Sequence, residues 1–232
     1  MGGGGMRIYI GVDPRQPIAY NVLQWSIVRR ASVPVAVIPL ILPATPITRV
    51  GLTDFTFTRY LTPALSGYKG LSLFLDADML VLDDITKLAG LTEGDHDVYV
   101  VKGKERFEWP SLMLFNNEKC TTLTADYIND ETNQPNTFDW AESVGELPPQ
   151  WNFCVGYDEP EGSPSIIHYT AGIPHFAETR NCDYSAEWWA EYEAMLGNCS
   201  WLELMGDSVH AKLVISGINE RKKQWQSRPT LN

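Results

Sequence analysis

Two acids separated by one residue, Asp76 and Asp78, interrupt the apolar run from Leu71 to Leu82. Side chains at i and i+2 of a strand leave the same face, so this spacing predicts two carboxylates pointing together. Carboxylates crowded on one face repel unless a cation or a proton shields them. A divalent ion that takes oxygen ligands and also grips a diphosphate fits that need, which points to metal-dependent chemistry on a phosphate compound. Such a pair can also do no more than cap a turn. Here it follows a buried strand, and in open α/β sheets ligands gather beyond the carboxyl ends of strands. Asp83 and Asp84, just downstream, are expected to cap a helix starting near Ile85.

The elements that must hold these acids can be read in outline. Arg7 to Val12 reads as a strand closed by the turn at Asp13-Pro14, and Pro17 to Arg30 as a helix. Val33 to Leu42 is β-branched and prolyl, as an edge strand would be. Thr53 to Ser66 reads as a helix with Phe55, Tyr60, Leu61 and Leu65 inward. Leu71 to Leu75 does not alternate and is predicted to be buried on both faces. Strands are further expected at Asp97–Lys102, Ser111–Asn116 and Ser165–Tyr169, with helices at Asn117–Asn129 and Ser185–Leu196. In the last helix Trp189, Tyr192 and Leu196 mark the expected core face. This alternation predicts an α/β fold in one domain, with a central, mostly parallel sheet flanked by helices.

The 232 residues suffice for one sizeable core. A formal charge of -11 argues against general electrostatic binding to nucleic acid or anionic membrane. No apolar run is long enough for a membrane span. Cys120, Cys154, Cys182 and Cys199 lack zinc-site spacing, and scattered thiols without a signal peptide predict a cytoplasmic protein. Met1 to Gly5 resembles a cloning linker before a native start at Met6. The glycosylation triplet Asn198-Cys199-Ser200 is given little weight for want of a signal peptide. Arg221, Lys222, Lys223 and Arg228 form a small basic tail.

Arg59-Tyr60-Leu61-Thr62-Pro63-Ala64-Leu65, followed by Leu73-Phe74-Leu75-Asp76-Ala77-Asp78-Met79-Leu80-Val81 and Asp84-Ile85, resembles the core of the glycogenin-like, family-eight retaining glycosyltransferases. The resemblance runs more weakly from Ile8 to about Phe176. It implies a GT-A fold over residues 6–180, with 181–232 as a helical C-terminal extension packed on it. It also implies transfer of a sugar from a nucleotide diphosphate donor, UDP-linked in the first instance, with Mn²⁺ or Mg²⁺ and with retention. The acceptor stays open.

On this resemblance Asp76, Asp78 and His168 would bind the metal. Gly11, Val12, Asp13 and Tyr20 would hold the base and ribose, while Arg59 and Ala77 would lie at the donor beside the acids. Gly172 would let backbone approach the diphosphate. Ser111 and Asn152 would touch the sugar, with Asp139 and Gln150 at the reacting carbon and the acceptor. Asp139 would be the nucleophile of a covalent route, whereas front-face attack needs none. The chain departs from the family where a lysine should neutralise the leaving diphosphate: that position falls near Ile173, and the spacing from His168 to Pro174 is one residue short. Lys102, Lys104, Arg106 and His175 are the substitutes the sequence offers. Two other readings stay open, a nucleotidyltransferase that makes a nucleotide sugar and a non-catalytic nucleotide- or carbohydrate-binding protein. The loop Gly11-Val12-Asp13-Pro14-Arg15 is a poor version of the basic, glycine-rich loop the former needs.

Overall fold

The computed structural model describes residues 5–102, 106–159 and 162–197. Its centre is a six-stranded sheet. In chain order the strands are β1 (Arg7–Gly11), β2 (Ala36–Leu40), β3 (Leu71–Asp76), β5 (Val98–Val100), β6 (Leu112–Asn116) and β7 (Val144–Glu146). The spatial order is β2-β1-β3-β6-β5-β7. β1 pairs in parallel with both β2 and β3, and β5 with β7, while β6 runs antiparallel to β3 and β5. Ser72 to Leu75 are all buried, as an unalternating central strand requires. The prolyl strand β2 lies at the sheet edge, where Pro39 forfeits no ladder bond.

A second, three-stranded sheet is built from β4 (Met79–Val81), β8 (Phe153–Cys154) and β9 (Ile166–His168), in the order β4-β9-β8. Asp76 ends β3, Ala77 and Asp78 form a turn, and β4 leaves in the other sheet. The two acids therefore sit where the chain changes sheets. They are not alternate residues of one pleat, and it is the turn that brings them toward each other. Helix α1 (Pro17–Val28) packs on β4, and the buried Ser26 hydroxyl accepts a hydrogen bond from Val81 N at 3.1 Å.

The helix expected over 53–66 is shorter and tighter. A 3₁₀ turn at Thr58–Leu61 runs into α2 (Thr62–Leu65), and Leu65 is exposed. Pro63 has no N–H to continue an α-ladder to the Arg59 carbonyl, and the Thr62 hydroxyl donates to that carbonyl instead, at 2.8 Å. The segment 117–129 likewise divides into a 3₁₀ turn, Asn117–Lys119, and α3 (Ala125–Asn129), with the Thr124 hydroxyl capping the latter. Ile85–Gly90 is a 3₁₀ helix capped by Asp84.

The last helix, α4, spans Ser185–Gly197, and the chain's packing divides between Trp189 and Ala190. Within α4 Trp188 is fully buried, whereas Leu196 is 61% exposed. Apolar residues at 188, 189, 192, 195 and 196 fit two overlapping stripes, and spacing alone selects the wrong one. The glycosylation triplet, the basic tail and most of the 181–232 extension lie outside the described residues. Lys104 does too, as does the Arg106 side chain.

Candidate active site

Register places the site. Gly11 is the partner of Asp76 across the β1–β3 pair, so both strands deliver their carboxyl ends to one edge. Met79 is the partner of His168 across β4–β9, and the Tyr169 N–H donates to the Asp78 carbonyl at 2.9 Å. The result is a cluster in which one ligand atom each from Asp76, Asp78 and His168 lie within 4.8 Å of one another. His168 Nε2 is 3.4 Å from Asp78 Oδ1.

The electrostatics of the acids are unfinished. Oδ1 of Asp76 and Oδ1 of Asp78 are both buried and lack a hydrogen-bond partner. Arg59 Nη2 stands 3.1 Å from Asp76 Oδ1, a charge contact without hydrogen-bond alignment. Burial pushes the Asp76 carboxyl up to about 7, against the pull of Arg59 and with the push of Asp78. For His168, burial alone would lower its basicity. The carboxylate of Asp78 outweighs this and raises the imidazole well above its ordinary value. Buried carboxylate oxygens with no donor beside a histidine nitrogen are what a divalent cation satisfies, so the residues fit the ion the sequence implies.

Arg59 is held as firmly as the acids. Its Nε donates to the Phe55 carbonyl at 3.1 Å and its Nη1 to the Pro110 carbonyl at 2.7 Å. Its guanidinium carbon lies 5.5 Å from the Phe55 ring centroid and 5.0 Å from that of Phe74. Gly11 makes this possible: a Cβ there would come within 2.5 Å of the Phe55 ring. Gly11 thus admits the aromatic ring that carries Arg59.

On the other side of the imidazole, His168 Nδ1 lies 3.0 Å from Asn152 Oδ1. Asn152 Nδ2 donates to Ser111 Oγ at 2.9 Å, and the Ser111 hydroxyl donates to the Glu108 carbonyl. Asn152 and Ser111, expected at the sugar, are buried in this chain of bonds. With the Asn152 oxygen accepting from Nδ1–H, Nε2 is the nitrogen turned to the acids.

Two neighbours escape sequence reasoning. Glu108 Oε2 is 3.7 Å from His168 Nδ1, and Cys154 Sγ is 3.8 Å from the same atom. Burial raises the Glu108 carboxyl, with His168 opposing and Asp78 adding. Cys154 is the β-partner of His168, but a two-residue strand leaves no periodic signal. Glu108 lies in the 3₁₀ turn Arg106–Ser111, at the end of a loop that reads only as charged.

The remaining expected residues are placed as follows. Asp13 is buried and held by Arg15, whose Nε and Nη2 reach its two carboxylate oxygens at 2.9 and 2.6 Å. These bonds hold the Asp13 carboxyl below its ordinary value although burial opposes them. Val12 donates its N–H to the Leu40 carbonyl at 3.0 Å, and Tyr20 is half-buried on α1. Ala77 is buried between the acids. Gly172 has φ +119, a backbone region that favours glycine. Asp139 and Gln150 are exposed, and Asp139 accepts a hydrogen bond from the Thr137 hydroxyl. His175 is exposed against Trp188 and Trp189, at ring separations of 6.4 and 6.3 Å. Ile173 is 1% exposed, so the position of the family lysine is a core position. Lys102 is exposed, with its Nζ on the Val144 carbonyl.

This arrangement belongs to a known class: the chain has the fold of the GT-A glycosyltransferases. It superposes on the bifunctional glycosyltransferase WbbM with a TM-score of 0.65 at 17% identity, over 87% of this chain and 51% of that one. For GlyE of Streptococcus pneumoniae TIGR4 the score is 0.61 at 17% identity, over 84% and 63%. For the galactosyltransferase LgtC, solved with donor and acceptor sugar analogues, it is 0.53 at 14% identity, over 82% and 96%. The chain thus spans about half the length of WbbM and under two thirds of GlyE. No protein-family model matches the sequence. In sequence, the chain is 33% identical over 224 residues to Protein CDI of Arabidopsis thaliana, covering 81% of this chain and 86% of that protein. It belongs to the family of Protein CDI.

Proposed function

We propose that the protein is a metal-dependent glycosyltransferase that takes a sugar from a nucleotide diphosphate donor, UDP-linked in the first instance. Asp76, Asp78 and His168 would hold Mn²⁺ or Mg²⁺. The observation that carries this reading is the pair of buried, donor-less carboxylate oxygens on Asp76 and Asp78, facing His168. The ion supplies Lewis-acid stabilisation of the departing diphosphate.

The chain's own residues do the rest. Arg59 fixes the Asp76 carboxylate and adds positive charge beside it. Asn152, itself held by Ser111, turns Nε2 of His168 to the acids. The turn from Gly11 to Asp13, with Tyr20 beyond it, lies at the strand edge where a nucleoside would rest. Gly172 opens backbone to the diphosphate, His175 is a candidate cation for it in place of the family lysine, and Asp139 and Gln150 are the candidates for the sugar and acceptor side. The resemblance to family-eight enzymes supports retention of anomeric configuration. Arg15 is tied to Asp13 rather than free in a basic loop, which favours sugar transfer over nucleotidyl transfer. The cysteines among the described residues are all free thiols, as suits a cytoplasmic protein. No helix among the described residues is long and apolar enough to cross a membrane.

Calorimetry with UDP, with and without Mn²⁺, is the first test, followed by a donor-hydrolysis screen across nucleotide sugars. Binding that requires both Mn²⁺ and Asp78, and hydrolysis of a particular donor, are the expected results. UDP binding that ignores the metal, or hydrolysis at near wild-type rate in Asp78→Asn, overturns the reading.

A further inference from the structure

The geometry points to a second metal site, on the opposite nitrogen of His168, formed with Cys154, Glu108 and Asn152 and suited to a thiophilic divalent ion of the zinc class. Binding at this site stands on its own residues, whereas its consequence for turnover rests on the transferase reading above.

One ligand atom each from Glu108, Cys154 and His168 lie within 4.8 Å of one another. Around His168 Nδ1 stand Asn152 Oδ1 at 3.0 Å, Glu108 Oε2 at 3.7 Å and Cys154 Sγ at 3.8 Å, and Sγ is 4.0 Å from Asn152 Oδ1. A tetrahedral zinc ion, with bonds of about 2.3 Å to sulfur and about 2.0–2.1 Å to nitrogen and oxygen, separates adjacent ligand atoms by roughly 3.3–3.6 Å. The pairs at 3.7, 3.8 and 4.0 Å must close by a few tenths of an ångström and the Asn152–His168 pair must open by as much, while Glu108 and Cys154 lie within 4.8 Å of one another. Cys154, Asn152 and His168 are buried, while the Glu108 side chain, 21% exposed, opens the cluster to solvent. The thiol has weak partners and no part in the hard-metal site: its other contact is the Asn152 carbonyl at 3.7 Å.

The two faces of the imidazole differ in chemistry. Toward Nε2 stand carboxylate oxygens, which suit Mn²⁺ and Mg²⁺; toward Nδ1 stands a thiol, which suits zinc. When the thiophilic ion binds, the Cys154 S–H proton leaves to solvent, the single imidazole proton moves from Nδ1 to Nε2, and the ion takes the sulfur and Nδ1 lone pairs. The ring then keeps its proton on Nε2, facing Asp78. That proton covers the lone pair a hard ion needs, so the two ions exclude one another. Zinc-class ions switch the transferase off.

Cobalt titration of the metal-free full chain tests this, because thiolate-to-cobalt charge transfer is visible. The expected result is a band that saturates at one ion per chain, vanishes in Cys154→Ser and persists in Asp78→Asn. Glu108→Gln weakens it roughly tenfold or more, the scale set by outer-shell partners alone. Manganese spin resonance gives the second arm: one equivalent of Zn²⁺ releases bound Mn²⁺ from the wild type and not from Cys154→Ser. A band that survives in Cys154→Ser, no band in the wild type, or Mn²⁺ and Zn²⁺ held together overturns the proposal. Should Cys154→Ser misfold by circular dichroism, Zn²⁺ must slow alkylation of Cys154 in the wild type and not in Glu108→Gln; equal alkylation overturns it. Failure of the transferase reading shows separately, as absent Mn²⁺ binding with the cobalt band intact.

Discussion

Asn152 and His168 form the hinge of the site: the amide oxygen of the first lies 3.0 Å from Nδ1 of the second and decides which imidazole nitrogen faces Asp78. An amide that only packed would leave the ring free to choose its tautomer. This one is itself held by Ser111, so the choice is made before any ligand arrives.

Asn152→Ala should therefore lower Mn²⁺ affinity by about 10–100-fold, the usual effect of losing a partner that orients a ligand. Nitrogen-detected NMR of the metal-free protein, at a pH high enough to remove the second proton that Asp78 favours on His168, should show the ring shifting from one protonated nitrogen to a mixture. A purely structural role would alter stability and leave that tautomer signal where it was.

Arg59 is buried with Asp76 beside it and two backbone carbonyls on its donors. Arg59→Ala should cost about 3–5 kcal/mol of folding stability, since it leaves a buried carboxylate uncompensated. Saturating Mn²⁺ should return part of that loss. Urea unfolding with and without the ion measures both numbers, and a variant as stable as the wild type would contradict the buried-pair account.

Gly11→Ala tests the approach of Phe55. The new methyl would meet the ring's Cβ and Cγ at 2.6 and 2.5 Å, too near the ring's root for rotation to relieve. Overpacking of this kind costs about 1–3 kcal/mol. Arg59 should move with Phe55, so Mn²⁺ affinity falls along with stability, and calorimetry reads both.

Asp84 gives a pH dependence. Burial opposes its ionisation, but hydrogen bonds from Ser32 and Thr86 win and hold the carboxyl at about 2, below the ordinary 3.8. A carboxyl lowered in the folded state adds stability that is complete above the ordinary value and fades as pH falls toward the folded one. Asp84→Ala should thus cost about 1 kcal/mol at neutral pH, as helix caps do. The gap to wild type should narrow between about pH 4 and pH 2. Denaturant midpoints at several pH values check this, and a gap that widens on acidification would refute it.

What can be read from the chain follows the strength of each local signal. Leu71 to Leu75 is apolar but for Ser72 and does not alternate, so its buried faces and the acids after it are legible. So is the sheet edge, because Pro39 cannot sit in the interior of a ladder. β4 and β8 are not, since strands of three and two residues carry no period and form only because β9 lies between them. Cys154 is hidden for that reason, and Glu108 because it lies in a short 3₁₀ turn after a loop that reads only as charged. For Asn152 the family resemblance implies a sugar contact, and only tertiary contact shows that its partners are Ser111 and His168. Thr53 to Ser66 looks helical because apolar spacing fits, while threonine hydroxyls and Pro63 divide it. Ile173 shows in sequence that the expected lysine is missing, and only its burial shows that nothing polar can stand there.

The pairing of Met79–Val81 with Ile166–His168 has a consequence for how the protein comes into being. A ribosome finishes both aspartates long before it reaches the histidine, and the strand that carries His168 docks only when the long intervening stretch has folded back. Until then a nascent chain has the two acids without the histidine, and would hold the proposed ion poorly. On the proposed function, metal capture would mark a chain synthesised and folded past His168, and a bound ion would clasp two distant parts of the sequence that loop entropy would otherwise draw apart.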